Sequence, residues 1–415
     1  MNIEVPYVAR VEGKGGLNIS ISKEKLEGNF IIYESPRFFE SFLIGRKYDE
    51  VMEIVSRICG ICPVAHQITS LQAVENAMGI EISEQTEGLR NILAMSAHIQ
   101  SHLLSIYFLS LPDFLGYESF ISMANEHKDI VKRALRMKKV ANDITAMIGG
   151  RAVHPVTCIV GGFTSIPSIA EIKKMKKMLE EIKEDAIETA NLLSSLDMPE
   201  FSRKCEHVAL SHQKEYAINK GSLKSTEGLD IEAKDYRKFI FERKVEHSNA
   251  LHSFIKGRDS FMVGPLARIN LNFNNLSDDA EEAVEQSGIS FPNFNPFYSH
   301  FARAIEIIHY IDSCIEIIEN FKFKEERMEI KIKEGIGSSI TEAPRGSLYH
   351  FYVINKKGII EKADIVPPTA HNAYNIEKDL HAFLQMLYDM PEEEIALKCE
   401  MLVRAYDPCI SCSVH

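Results

Sequence analysis

No apolar run in the 415 residues approaches the roughly 20 needed to cross a bilayer. The most apolar stretch, 103–111, is broken by Ser105 and Ser110 and ended by Pro112, so a soluble protein without a transmembrane segment is expected. The opening residues 1–11 carry charges and no apolar h-region, which argues against a secretory signal peptide and leaves the cytoplasm as the default location. Basic charge is also short. Lys and Arg number 47 against 59 Asp and Glu, a net −12 that disfavours a nucleic-acid partner, whose phosphates need clustered cations. Cysteine is too sparse, at eight residues, for a disulfide scaffold, yet half of the eight fall into two Cys-x-x-Cys pairs. That pattern points to metal or redox chemistry. Neither Gly161-Gly162 nor the glycines at 335 and 337 complete a Walker or dinucleotide fingerprint, so nicotinamide binding would belong to a partner.

What is present is the balance of an ordinary globular protein, 45% apolar and 26% charged, with enough apolar residues for a sizeable core. Alternating apolar residues at Leu17, Ile19, Ile21, Phe30 and Ile32 predict a β-hairpin, with its turn near 27–29. Pro63 suits a helix's first turn, Val64, Ile68, Leu71, Val74 and Met78 have helical spacing, and Gly79 is a stop signal. Similar periodicity predicts helices over 87–111, 128–148, 168–196 and 297–321. Between 328 and 366 β-branched and aromatic runs predict a small sheet with a turn at 355–358, and the charge-rich stretch 214–246 is expected to be a solvated surface excursion. The expectation is a single α+β domain over 1–415, predominantly helical, with small sheets near the N-terminus and at 328–366 and both chain ends buried at a metal site. A buried C-terminus is unusual, because chain ends commonly fray.

Cys59 and Cys62 form one pair, Cys409 and Cys412 the other. Thiolates bind zinc, copper, iron and nickel, and two such loops can enclose one site. A non-enzymatic scaffold closed by structural zinc is one reading, although zinc modules bring their cysteine pairs together within a few tens of residues. A thioredoxin-like dithiol does not suit two motifs at opposite ends of a chain. His98 and His102 have the spacing of a zinc helix, but Ile99 stands where His-Glu-x-x-His needs glutamate, and His98 is expected to be a packing residue. Cys158, Cys205, Cys314 and Cys399 are isolated and are expected to be buried, inert thiols.

The surroundings of the two pairs carry more. Arg57-Ile58-Cys59-Gly60-Ile61-Cys62 with His66, and Asp407-Pro408-Cys409-Ile410-Ser411-Cys412 with His415, resemble the two signature motifs of nickel-iron hydrogenase large subunits. The likeness extends to Arg10-Val11-Glu12-Gly13, to Pro36-Arg37-Phe38-Phe39-Glu40 and to Glu342-Ala343-Pro344-Arg345-Gly346. The resemblance implies a catalytic subunit that cleaves dihydrogen reversibly and heterolytically at a nickel-iron centre. All four cysteines would hold nickel, Cys62 and Cys412 bridging to an iron that carries carbon monoxide and two cyanide ligands. It further implies Glu12 as proton acceptor, Arg345 over the open position with Asp407 as its partner, and His66, Pro344 and Thr369 lining the centre. Glu40, His415 and a backbone carbonyl near Asp364 would bind magnesium and pin the tail. In this family a maturation protease trims the C-terminus to a histidine, which is where this sequence ends.

Two positions depart from the best-known membrane-associated members: Ser101 stands for an aspartate, and Pro368 for a hydroxyl residue whose role Thr369 is expected to assume. These features resemble the cytoplasmic, multisubunit branch. With no cysteine series of its own for clusters, the chain is expected to need a small iron-sulfur subunit, and beyond it an acceptor such as NAD(P) through flavin, a deazaflavin, or a heterodisulfide reductase.

Overall fold

A computed structural model describes residues 1–22, 26–320 and 323–414. Three strands, β1 (Asn2–Val5), β2 (Gly15–Ile21) and β3 (Leu26–Ile32), form an antiparallel sheet at the start. The hairpin forms as expected but reverses between Ile21 and Leu26; Glu27 to Asn29 are already paired in β3, opposite Ser20 to Asn18. Apolar alternation fixes which face is buried but does not by itself locate the turn.

Four long helices follow, α1 (Pro63–Met78), α2 (Glu84–Leu103), α3 (Lys128–Gly149) and α4 (Ile169–Ser194). Their ends obey local rules. Pro63 sits in the first turn of α1 and Gly79 closes it in the left-handed region at φ 66°. Ser168 and Glu171 make a reciprocal capping box on α4. The predicted helix 87–111 is longer and less regular: α2 gives way to a π-helical segment, Leu104–Ser110, and a last turn, Leu111–Phe114. This run of 31 residues is apolar and long enough to cross a membrane, contrary to the sequence expectation, yet most of its most apolar part is packed inside the protein.

The middle of the chain departs most from expectation. Strands β4 (Glu206–Ser211), β5 (Ser222–Ser225) and β6 (Asp230–Ile231), the hairpin β7 (Ile240–Val245) and β8 (Ser248–Ile255), and short β9 (Phe261–Met262) lead into helix α5 (Pro265–Asn272). The stretch 214–246 is therefore not merely a solvated excursion. Tyr216, Leu223, Tyr236 and Ile240 are buried, and Leu223, Tyr236 and Ile240 help build a second apolar cluster with Val208, Ile340 and Tyr349. Charged residues on one side of short strands mask the apolar side in a composition count.

Helix α6 (Ser299–Asn320) packs against α4 and α2 in the main core. The predicted sheet at 328–366 consists of β10 (Gly335–Ala343), β11 (Gly346–Ile354) and β12 (Ile360–Val366), an antiparallel meander. It lies so close to α1 that a Cβ on Gly337 would come 2.1 Å from the carbonyl oxygen of Ala73. Absence of a side chain thus sets helix-to-sheet distance and the position of Cys62, directly before α1. Helices α7 (Pro368–Leu387) and α8 (Glu392–Tyr406) complete the chain, and the segment after α8 turns inward, with Cys409, Cys412 and Val414 buried. Met1 is exposed, so at the N-terminal end it is Glu12, not the first residue, that reaches the tail.

Candidate metal centre

The first cysteine pair occupies the loop before α1, with Cys62 as its N-cap; the second enters a short helix, Ile410–Ser413, with Cys409 as N-cap. Helix N-termini direct backbone dipoles favourably toward anionic sulfur. The sulfurs converge across the chain: Cys59 to Cys409 is 3.2 Å, Cys62 to Cys412 3.4 Å and Cys409 to Cys412 2.9 Å. All four lie within 4.8 Å of one another and all are buried.

Backbone amides orient the sulfurs. Ile61 and Cys62 N–H groups donate to Cys59 Sγ at 3.2 and 3.4 Å, and the Cys409 N–H donates to Thr369 Oγ1 at 2.8 Å, on the first turn of α7. Glu12 pairs with Cys409 in an isolated parallel bridge, where its carbonyl accepts the Ile410 N–H at 3.1 Å. Its half-buried carboxylate accepts from Ser411 N–H at 3.0 Å, and its Oε2 lies 3.3 Å from Cys409 Sγ. Ser411 also donates its hydroxyl to Glu34 at 3.3 Å.

Arg345 projects from the tight turn between β10 and β11. A Cβ at the next residue, Gly346, with φ 133°, would come 2.4 Å from Val263, so only glycine allows the turn this close an approach. The Arg345 Nε donates to the Asp407 carbonyl at 2.6 Å and its Nη2 to Oδ1 at 3.1 Å. Asp407 ends α8 at φ 53°, an uncommon backbone state for a residue with a side chain. Burial raises the Asp407 carboxyl above its usual value against the pull of Arg345. Arg345 Nη1 and Asp407 Oδ2 are buried without a hydrogen-bond partner among the described residues.

Beneath this turn lies a network that sequence reasoning missed. Arg268 on α5 is wholly buried and uses every N–H: on Glu306 at 2.6 and 2.7 Å, on Glu342 at 3.1 Å, and on the carbonyls of Ala343 and Pro344 at 2.9 and 3.1 Å. Tyr216 and His102 also reach Glu306, at 2.7 and 2.8 Å. Arg37, in the quoted Pro-Arg-Phe-Phe-Glu segment, was missed as well: its guanidinium donates to the carbonyls of Ile58 and Ser411, one beside each cysteine pair.

Among the remaining candidates, His66 Nδ1 meets His350 Nε2 at 3.2 Å. Pro344 contributes its carbonyl to Arg268, as above. Glu40, in the short helix Phe39–Leu43, accepts the Ile365 N–H at 2.8 Å, next to Asp364. The Asp364 carboxylate itself is taken by Arg237, with Nε at 2.5 Å. His415 lies outside the described residues. His98 donates from Nδ1 to Ala94 O at 2.9 Å, and Cys158, Cys205, Cys314 and Cys399 are buried.

Electrostatics decides what the cluster can hold. Hydrogen bonds from Cys409 and its neighbours, with Arg345 nearby, hold the Cys59 thiol well below its ordinary value, while burial pushes Cys409 and Cys412 well above theirs. Four buried sulfurs cannot all be thiolates without a cation between them. The donor set is soft and buried, and Arg345 Nη1 and Asp407 Oδ2 have hydrogen-bonding capacity unused among the described residues.

Comparison with known proteins gives the same picture. A family model described as nickel-dependent hydrogenase matches residues 37–133 and 206–415. The chain is 38% identical over 419 residues to sulfhydrogenase 1 subunit alpha of Pyrococcus furiosus, covering 100% of this chain and 97% of that protein. It is 33% identical over 427 residues to sulfhydrogenase 2 subunit alpha of the same organism, covering 100% and 99%. In fold it is similar to the crystal structure of an NAD+-reducing [NiFe]-hydrogenase in the H2-reduced state, with TM-score 0.88, 23% identity, and 100% and 99% of the two chains covered.

Proposed function

The chain belongs to the nickel-dependent hydrogenase family and is an oxidoreductase acting on dihydrogen, and from that premise we propose how its residues divide the work. Cys59, Cys62, Cys409 and Cys412 would hold nickel, and Cys62 and Cys412 would share it with an iron carrying carbon monoxide and cyanide. When bound, such a centre supplies a redox-active Lewis acid able to polarise dihydrogen.

The chain's own part is to place charges and move the proton. Cys409 Sγ passes it to Glu12 Oε2, 3.3 Å away. Arg345, kept in place by Asp407, presents a fixed cation beside the cysteine cluster, and its remaining N–H suits a cyanide acceptor. Thr369 fixes the Cys409 amide, taking over the hydroxyl role that Pro368 cannot fill. His66 and the Pro344 carbonyl shape the wall. Glu40, a backbone carbonyl near Asp364 and His415 would bind magnesium, a hard ion suited to oxygen donors and water.

The relatives are named as alpha subunits, which supports a multisubunit enzyme. Electrons leave through a small iron-sulfur subunit to NAD(P) or another soluble acceptor, in the cytoplasm, after a maturation protease has closed the site.

The observation that carries this reading is the Glu12 carboxylate in contact with a four-sulfur cluster built from opposite ends of the chain. Its test is Glu12→Gln in the assembled enzyme, read by infrared bands of iron-bound carbon monoxide and cyanide together with hydrogen oxidation. Bands retained with turnover reduced roughly 10²- to 10⁴-fold is the expected result. Unchanged turnover removes Glu12 from the path; absent bands in the parent remove the diatomic ligands.

A further inference from the structure

Outside the cysteine cluster, one other group of metal-binding side chains gathers among the described residues. His247 lies in the turn of the β7–β8 hairpin, His252 lies on β8, and Glu377 lies on α7. One ligand atom from each falls within 4.8 Å of the others. His247 Nε2 is 2.6 Å from Glu377 Oε1, His252 Nδ1 is 3.8 Å from Oε2, and the two imidazole centroids are 5.9 Å apart.

His252 is the informative member. Its side chain is 0% exposed, and neither ring nitrogen has a hydrogen-bond partner among the described residues. A buried imidazole left so is unfavourable unless something else satisfies a nitrogen. A neutral imidazole offers a lone pair, which is the form a metal binds.

The surroundings are built to hold these side chains. Glu377 Oε1 accepts the Phe30 N–H at 3.2 Å, so β3 orients the carboxylate. The hairpin is fixed to the same strand, with the Ile32 N–H on Ser248 Oγ at 3.3 Å and Asn249 Nδ2 on the Tyr33 carbonyl at 3.2 Å. Arg243, opposite His252 in the ladder, stacks its guanidinium over Tyr374 at 4.3 Å. Glu377 is 13% and His247 32% exposed, which gives an ion and a completing water an approach from the His247 side.

We propose that His247, His252 and Glu377 form a second transition-metal site, for Zn2+, which clamps the β7–β8 hairpin to α7. Two imidazoles, one carboxylate and a water make a zinc ligand set; the imidazoles disfavour magnesium and calcium, and the lack of sulfur separates the site from the cysteine cluster. Bonds of about 2.0–2.1 Å place tetrahedral ligands about 3.3 Å apart. The 2.6 Å contact opens by about 0.7 Å and the 3.8 Å contact closes by about 0.5 Å, changes that the side chains of the turn residue His247 and of Glu377 can absorb. The clamp acts on the helix whose first turn carries Thr369, the acceptor for the Cys409 amide.

The test uses the assembled hydrogenase, washed with chelator, dialysed against micromolar Zn2+ and analysed for metals. One zinc per chain beyond the nickel and iron is expected, with only nitrogen and oxygen neighbours by zinc X-ray absorption. His247→Gln and Glu377→Gln each weaken that zinc roughly tenfold or more. No additional zinc, sulfur in its shell, or undiminished binding by both variants overturns the site.

Discussion

Replacing Arg268 by Met probes the network under the Arg345 turn. Arg268 and both carboxylates it meets, Glu306 and Glu342, are buried at 0 to 1% exposure, so the variant leaves two carboxylates and two carbonyls without their donor. Breaking a buried pair by removing one partner costs about 3–5 kcal/mol. Unfolding entropy of roughly 2.1 cal/mol/K per residue over 415 residues gives about 0.9 kcal/mol/K, so the melting temperature should fall by about 3–6 °C. The pH dependence adds a second check. Burial alone would raise Glu306, but Arg268 and His102 outweigh it and hold the carboxyl well below its usual value. In the parent Glu306 therefore stabilises above the unfolded pKa, and this is lost as pH falls. Without Arg268 its pKa is raised, so its contribution is present at low pH and lost as pH rises. The deficit of Arg268→Met should then be larger at pH 8 than at pH 5 by differential scanning calorimetry. A variant melting within about 1 °C of the parent at pH 8 would refute the assignment of Arg268 as the network's essential donor.

Burial pushes His207 down to about 3, so it stays neutral in the fold where the unfolded chain is protonated. Its stabilising contribution is complete above the unfolded pKa, about 6.5, and declines as pH falls toward 3. His207→Gln removes that decline, and its stability gap from the parent should narrow between pH 7 and 4.5; a gap independent of pH would contradict it. Thr369→Val leaves the Cys409 amide unpaired at a cost of about 1–3 kcal/mol and should lower nickel content per chain, whereas Thr369→Ser should preserve it; elemental analysis of both decides. Gly337→Ala forces a Cβ against the Ala73 carbonyl, and about 1–3 kcal/mol or more should be lost in thermal unfolding.

Local grammar was legible in the chain where one short segment decided the outcome. Pro63 and Gly79 bound α1, Ser168 begins α4, and β-branched runs mark the sheet after 335. The four cysteines were legible as ligands from their spacing, and as one site only through the family resemblance, because 350 positions separate each pair from its partner. What stayed hidden depends on tertiary meeting. Nothing in the sequence marks Arg268 and Glu306 as partners until α5 and α6 place them face to face, and Arg37 reveals its role only when both motif loops are adjacent. Stretch 214–246 misled because its charges outnumber the few apolar residues that the short strands turn inward. Helices α7 and α8 were also missed.

The central claim is that four sulfurs from opposite ends of the chain enclose one nickel with iron beside it. Nickel-edge X-ray absorption on the purified enzyme, paired with elemental analysis, tests this directly. The account predicts one nickel per chain, with four sulfur neighbours around nickel and an iron scatterer next to them. Zinc in place of nickel, or nickel with fewer than four sulfurs, would contradict it.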